Sequence, residues 1–114
     1  MRTYTTSEAE AHLKDESVDM QSTDPSAVDP IIRVAEDIYS HFDKDLVITS
    51  AADGEHMRGS KHYEGEALDL RGSKAWGYSD RVLRQIVSHL RRELGEEYDV
   101  VRERTHLHIE RDPA

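Results

Sequence analysis

The stretch SDRVLRQIVSHLRRELG, residues 79–95, decides the fold because it predicts an amphipathic helix with defined ends. Ser79 is a favoured N-cap residue, and Gly95 is a favoured residue directly after a helix. The apolar residues between them recur at helical spacing and form one stripe: Val82, Leu83, Ile86, Val87, Leu90 and Leu94. Such a stripe must be buried against another element of structure.

Short apolar runs on both sides of this helix predict strands. They are residues 46–49 and 67–70 before it, and residues 98–101 and 107–109 after it. In the second run, ALDL, Asp69 lies between two leucines, so we expect it on the opposite face of the strand from both. The sequence therefore supplies a sheet on which the helix can pack.

A second helix is predicted over residues 30–41, with Asp29 as its N-cap and Pro30 as its first residue. Residues 1–28 are rich in Ser, Thr, Asp and Glu, and we expect a flexible acidic arm there. Residues 29–114 would then form the folded domain. The predicted class is α+β, with two helices packed on a small, largely antiparallel sheet.

Composition narrows the class of function. A chain of 114 residues is long enough for one compact domain, and its net charge of −9 disfavours binding to nucleic acid or to an anionic membrane. Without cysteine, any metal must be held by His and carboxylate groups. The N-terminus has no apolar run typical of a signal peptide, and no stretch approaches the length of a membrane span, so we expect a soluble protein made in the cytoplasm. We also expect a monomer.

Candidate metal ligands lie in two distant segments. His62 precedes Asp69 by seven residues, and the segment HLH places His106 and His108 on the same face of a predicted strand. Catalytic zinc generally takes three protein ligands from His, Asp and Glu and leaves a fourth position open. His62, Asp69 and one of the paired histidines make such a set, which predicts one zinc ion.

Amide hydrolysis at such a site also needs a general base. Glu103, three residues before His106, is the nearest candidate, and Glu110 is the second. On an ideal strand Glu103 would face away from both histidines. The prediction therefore requires a turn or a bulge near Arg104 to redirect its side chain.

The segment SKHYEGEALD, residues 60–69, fits the pattern S-x-H-x-x-G-x-A-x-D at every specified position. This pattern, together with the later E-x-x-H and H-x-H motifs of residues 103–108, resembles the zinc D-Ala-D-Ala carboxypeptidases and L-Ala-D-Glu endopeptidases. That family shares its fold with the hedgehog signalling domain. The resemblance covers roughly residues 46–112 and is strongest to short members found in bacteriophages.

The resemblance implies His62, Asp69 and His108 as zinc ligands and Glu103 as the base. His106 would contact the substrate or the oxyanion, although members with the E-x-x-H form alone would make it the third ligand. Arg58 would bind the substrate carboxylate or polarise the scissile carbonyl, unless it is only a solvated loop charge. The implied substrate is a peptidoglycan stem peptide, cleaved by carboxypeptidase or endopeptidase action.

Two further alternatives stay open. The chain could be a catalytically silent metal-binding or interaction module on the same fold, because fold does not settle function. Trp76 and Tyr78 could line a substrate groove or pack against the helix of residues 79–95. If the protein acts on a cell wall, another factor would have to deliver it there.

Overall fold

A computed structural model describes residues 2–53 and 64–112. The strands are β1 (Thr3–Thr5), β2 (Glu10–Leu13), β3 (Val47–Ser50), β4 (Ala67–Arg71), β5 (Tyr98–Arg102) and β6 (His106–Arg111). The helices are α1 (Pro25–His41) and α2 (Asp80–Leu94), with a 3-10 turn at Lys74–Trp76.

The strands form one sheet in the order β1-β2-β3-β4-β6-β5. Only the β2 and β3 pair is parallel among the pairs described. The helices pack against each other and against the sheet, α1 over β2, β4 and β6 and α2 over β5. The prediction of an α+β fold with two helices on a largely antiparallel sheet is therefore confirmed.

The α2 helix has the ends that its sequence predicts. The Ser79 hydroxyl accepts a hydrogen bond from the Val82 N–H at 3.1 Å, and the Gly95 N–H donates to the Arg91 carbonyl at 3.1 Å. Gly95 has a positive φ of 77°, which glycine adopts without steric cost. Within the described residues, neither helix combines the length and the apolar character that a membrane span requires.

The predicted start of the first helix is wrong. Its N-cap is Asp24, whose carboxylate accepts from the Ser26 N–H at 3.0 Å, and Pro25 is the first helical residue. The pair Asp24-Pro25 carries the same signal as Asp29-Pro30, five residues earlier. Pro30 lies inside the helix, where its fixed φ is compatible with the helical backbone.

The expectation of a flexible arm over residues 1–28 is wrong for the part that the structure describes. This segment contains β1, β2 and the start of α1, so the boundary predicted at residue 29 falls inside a helix. It also contributes core side chains, namely Ala11, Leu13, Val18, Met20, Ala27 and Val28. Because β2 pairs with β3, more than thirty residues away, no local sequence pattern reveals its place in the sheet.

Candidate metal centre on the sheet face opposite the helices

The pairing of β4 with β6 brings the predicted site residues together. Asp69 lies directly opposite His108, and Arg71 lies opposite His106. Cross-strand partners in an antiparallel pair project from the same face of the sheet. The leucine and isoleucine side chains between them are fully buried beneath the helices, so the polar set lies on the sheet face opposite α1 and α2.

The Asp69 carboxylate lies between the two imidazoles. Its Oδ1 is 2.9 Å from His108 Nδ1, and its Oδ2 is 3.5 Å from His106 Nε2. The Asp69 side chain is 12% exposed, which removes most of the solvent competition for these contacts. Two segments that are nearly forty residues apart in the chain thus form one cluster.

Glu110 fixes the second nitrogen of His108. The Nε2 atom lies 2.7 Å from Glu110 Oε1, and the His108 side chain is 17% exposed. The hydrogen bond to Asp69 raises the pKa of His108 from 6.5 to about 9, burial opposes this change, and Glu110 adds to it. Without a metal ion, His108 is therefore an imidazolium at neutral pH that donates from both nitrogens.

The chemistry of these donors fits a divalent ion such as zinc. Asp69 Oδ1 and His108 Nδ1 are adjacent, so a cation could take the place of the proton between them. The Glu110 contact has the form usual for a metal-binding histidine, whose other ring nitrogen donates to a carboxylate. The position of Glu110 two residues after His108 on the same strand face is the sequence signal for this contact.

The β3 strand supports Asp69 from the other side. The register shifts between Ile48 and Ser50, where Ser50 pairs with Asp69, and bulges of this kind are common beside functional sites. The Thr49 hydroxyl donates to the Asp69 carbonyl at 3.3 Å. Beyond β3, the Asp53 carboxylate accepts from the Ala51 N–H at 2.7 Å.

Two predicted site residues, His62 and Arg58, lie outside the described residues. Glu103 lies in the turn between β5 and β6, where its N–H donates to the His106 carbonyl at 2.9 Å. The β5–β6 register is regular, so no bulge redirects this residue. Glu103 is exposed and borders a cavity near Lys74 and Asp80, and no described contact joins its carboxylate to Asp69 or to an imidazole.

A further acidic group lies next to the histidines. Carboxylate oxygens of Asp99, Glu110 and Asp112 lie within 4.8 Å of one another. Sequence reasoning missed this group because it depends on the pairing of Asp99 with Glu110 across β5 and β6. All-oxygen groups suit hard cations such as Ca²⁺ better than zinc.

No family model, no curated protein and no solved structure matches this chain, so the resemblance to zinc peptidases stays a prediction.

Proposed function

We propose that this protein is a zinc-dependent peptidase that hydrolyses amide bonds in peptidoglycan stem peptides, with His62, Asp69 and His108 as the ligands of one zinc ion. The observation that carries the proposal is the contact of the Asp69 carboxylate with both His106 and His108 on the sheet face opposite the helices. A buried carboxylate beside two imidazoles is the donor chemistry that zinc sites in hydrolases use.

The described residues would divide the work as follows. Zinc, when bound, would supply Lewis acidity for amide hydrolysis. Glu110 holds Nε2 of His108 and so fixes the orientation of its ring, with Nδ1 directed at Asp69 Oδ1, where these two ligands would share the metal. The Nδ1 atom of His106 contacts the Thr105 hydroxyl at 2.9 Å, and its Nε2 atom lies 3.5 Å from Asp69 Oδ2. When Asp69 binds the metal, this Nε2 atom would be released to donate to a developing oxyanion.

Two carboxylates are candidates for the proton transfer. The sequence resemblance assigns the role of base to Glu103, whose carboxylate would have to move from the β5–β6 turn toward His106. Glu110 is already in contact with His108 through Oε1. Since a base must come within hydrogen-bond reach of the proton that it takes, Glu103→Gln and Glu110→Gln distinguish the two.

The test combines metal content with hydrolysis. Purified protein should bind one zinc per chain and cleave a D-Ala-D-Ala peptide or purified peptidoglycan, with products identified by mass spectrometry. Glu103→Gln should lower kcat by about 100-fold or more and keep the zinc. Asp69→Ala and His62→Ala should lose the zinc, and His89→Gln on α2 is the matched control. Absence of divalent metal binding by the wild type would refute the proposal.

A catalytically silent metal-binding module is the second candidate. It is favoured by the position of Glu103, whose carboxylate has no described contact with the histidine cluster. This candidate predicts zinc binding that depends on Asp69 and His108, together with no hydrolysis of either substrate. The same set of variants therefore separates the two functions.

A further inference from the structure

A cavity of about 380 Å³ lies beside the candidate metal centre. It is lined by His12, residues 43–45, Arg71, Trp76 and Tyr78, together with Val47. Arg71 links the two sites, because it is two residues after Asp69 on β4 and lies opposite His106 on β6. A ligand in this cavity would therefore be next to the groups to which we assign hydrolysis.

The guanidinium of Arg71 has no hydrogen-bond or ion-pair partner among the described residues, although the Arg71 carbonyl accepts from the Tyr39 hydroxyl at 2.8 Å. Its Nε atom is shielded from solvent without a partner, and so is Nδ1 of His12 in the same cavity. The described neighbour of the guanidinium is the Trp76 ring, whose centroid is 3.7 Å from Arg71 Cζ. A partly desolvated cation without an acceptor is costly, and a bound anion would remove that cost.

The other charges that line the cavity do not satisfy Arg71. Asp43 and Asp45 belong to the lining, but no described ion pair joins either of them to Arg71. Lys44, between them, donates to the Gly77 carbonyl at 3.0 Å and lies over the Tyr78 ring. Its positive charge partly offsets the two acids, whereas the Arg71 donors stay available to a ligand.

We propose that Arg71, with His12 and Trp76, binds the C-terminal carboxylate of the substrate peptide. The proposal rests on the peptidase function given above and makes it a carboxypeptidase. Two strand residues span about 7 Å and an extended peptide residue spans about 3.5 Å. Arg71 is two strand residues from the ligand Asp69, so a carboxylate that it binds would lie about two peptide residues or fewer from the metal. This carboxylate would thus belong to the first or second residue after the scissile bond.

Trp76 gives the subsite its apolar wall. The residue is 58% exposed although one ring face is covered by Arg71. An exposed indole beside an arginine offers apolar contact to a small side chain and leaves the charged end to the guanidinium. Tyr78, in contrast, is buried and packs edge-on against Tyr39 of α1 at 6.1 Å, so its ring supports the floor of the cavity.

Binding can be measured apart from hydrolysis because Trp76 is the single tryptophan of the chain. N-acetyl-D-alanine should change the Trp76 emission saturably, and N-acetyl-D-alaninamide should not. Arg71→Met should weaken the response by about 10- to 100-fold, the loss expected for a charge-assisted hydrogen bond. Arg84→Met, exposed on α2, is the control and should bind as the wild type does.

Several outcomes of this titration would overturn the proposal. The first is an equal change of Trp76 emission with N-acetyl-D-alanine and with N-acetyl-D-alaninamide, and the second is binding by Arg71→Met as tight as that of the wild type. The third is an equal emission change with acetate or inorganic phosphate, because it would indicate a general anion site. Circular dichroism melting checks the folding of Arg71→Met, and Arg71→Lys, which keeps the charge without the planar fork, should bind with intermediate strength.

Hydrolysis separates this proposal from the proposed function. On peptides with a free C-terminus, Arg71→Met should raise KM by about 10- to 100-fold and change kcat little. Equal cleavage of free and amidated peptides would overturn the subsite and leave the peptidase intact. Acid-specific emission changes without any hydrolysis would keep the subsite and refute the peptidase.

Discussion

Replacement of His108 should change how the stability of the metal-free protein depends on pH. The Asp69 hydrogen bond, with Glu110 adding and burial opposing, raises the pKa of His108 from 6.5 to about 9. Between these values the folded chain holds a proton that the unfolded chain has lost. The resulting stabilisation is complete below the unfolded pKa of 6.5 and is lost as the pH rises through about 9.

The size of the effect follows from the same pKa difference. At about 1.4 kcal/mol per pH unit, the stabilisation is on the order of 3 kcal/mol. The His108 side chain is only 17% exposed, so solvent screening reduces this little. The assay is urea unfolding followed by circular dichroism from about pH 6 to about pH 10, with a chelator present.

The wild type should lose this stabilisation toward alkaline pH, and His108→Gln should lack it at every pH. His89→Gln serves as the control for a histidine on α2, away from the Asp69 and Glu110 carboxylates. Parallel pH profiles for the wild type and His108→Gln would refute the reasoning. They would mean that the two carboxylates do not hold the His108 proton in solution.

Two further predictions test how the N-terminal segment packs. Gly65 has a φ of +73°, and a Cβ at this position would lie 2.6 Å from the Ser22 carbonyl oxygen. Because of this strain and this clash, Gly65→Ala should lower the free energy of unfolding by at least about 2 kcal/mol. Gly95→Ala is the control, because Gly95 has a φ of +77° but a Cβ there would meet nothing within 4 Å. It should lower the free energy of unfolding by only about 1 kcal/mol in the same urea assay. Equal losses for the two variants would contradict the close approach of Gly65 to Ser22. Deletion of residues 1–13 should abolish cooperative unfolding because it removes β1 and β2 and exposes the β3 edge; an unchanged urea midpoint would support a separate arm after all.

Much of the fold could be predicted because its patterns are local. The α2 helix has its cap, its apolar stripe and its terminal glycine within one stretch of chain, and the structure has the same ends. The alternation around Leu107 and Ile109 likewise predicts which face of β6 carries the histidines, and both apolar residues are fully buried. Helix and strand periods are properties of neighbouring residues, so the sequence contains them directly.

The prediction for the N-terminal segment was wrong because the structure of this segment depends on contacts with distant residues. Its strand β2 is short and has few apolar residues, and it is stabilised by parallel pairing with β3 and by contact with α1. The two Asp-Pro pairs are equivalent as local signals, and packing of residues 27 and 28 in the core accompanies the choice of Asp24 as the cap.

The candidate site likewise has features that depend on local sequence and features that depend on tertiary contacts. By itself the sequence determined which residues carry the side-chain chemistry of zinc ligands, namely His62, Asp69, His106 and His108, and strand parity predicted that the last two share a face. Only the tertiary structure decided that Asp69 contacts both imidazoles and that Glu110 holds His108. It also decided that the Arg71 guanidinium stacks on Trp76 without a hydrogen-bond partner in the part of the chain that the structure describes. These contacts depend on the register between strands that are distant in the chain, and register is set by the packing of the whole sheet.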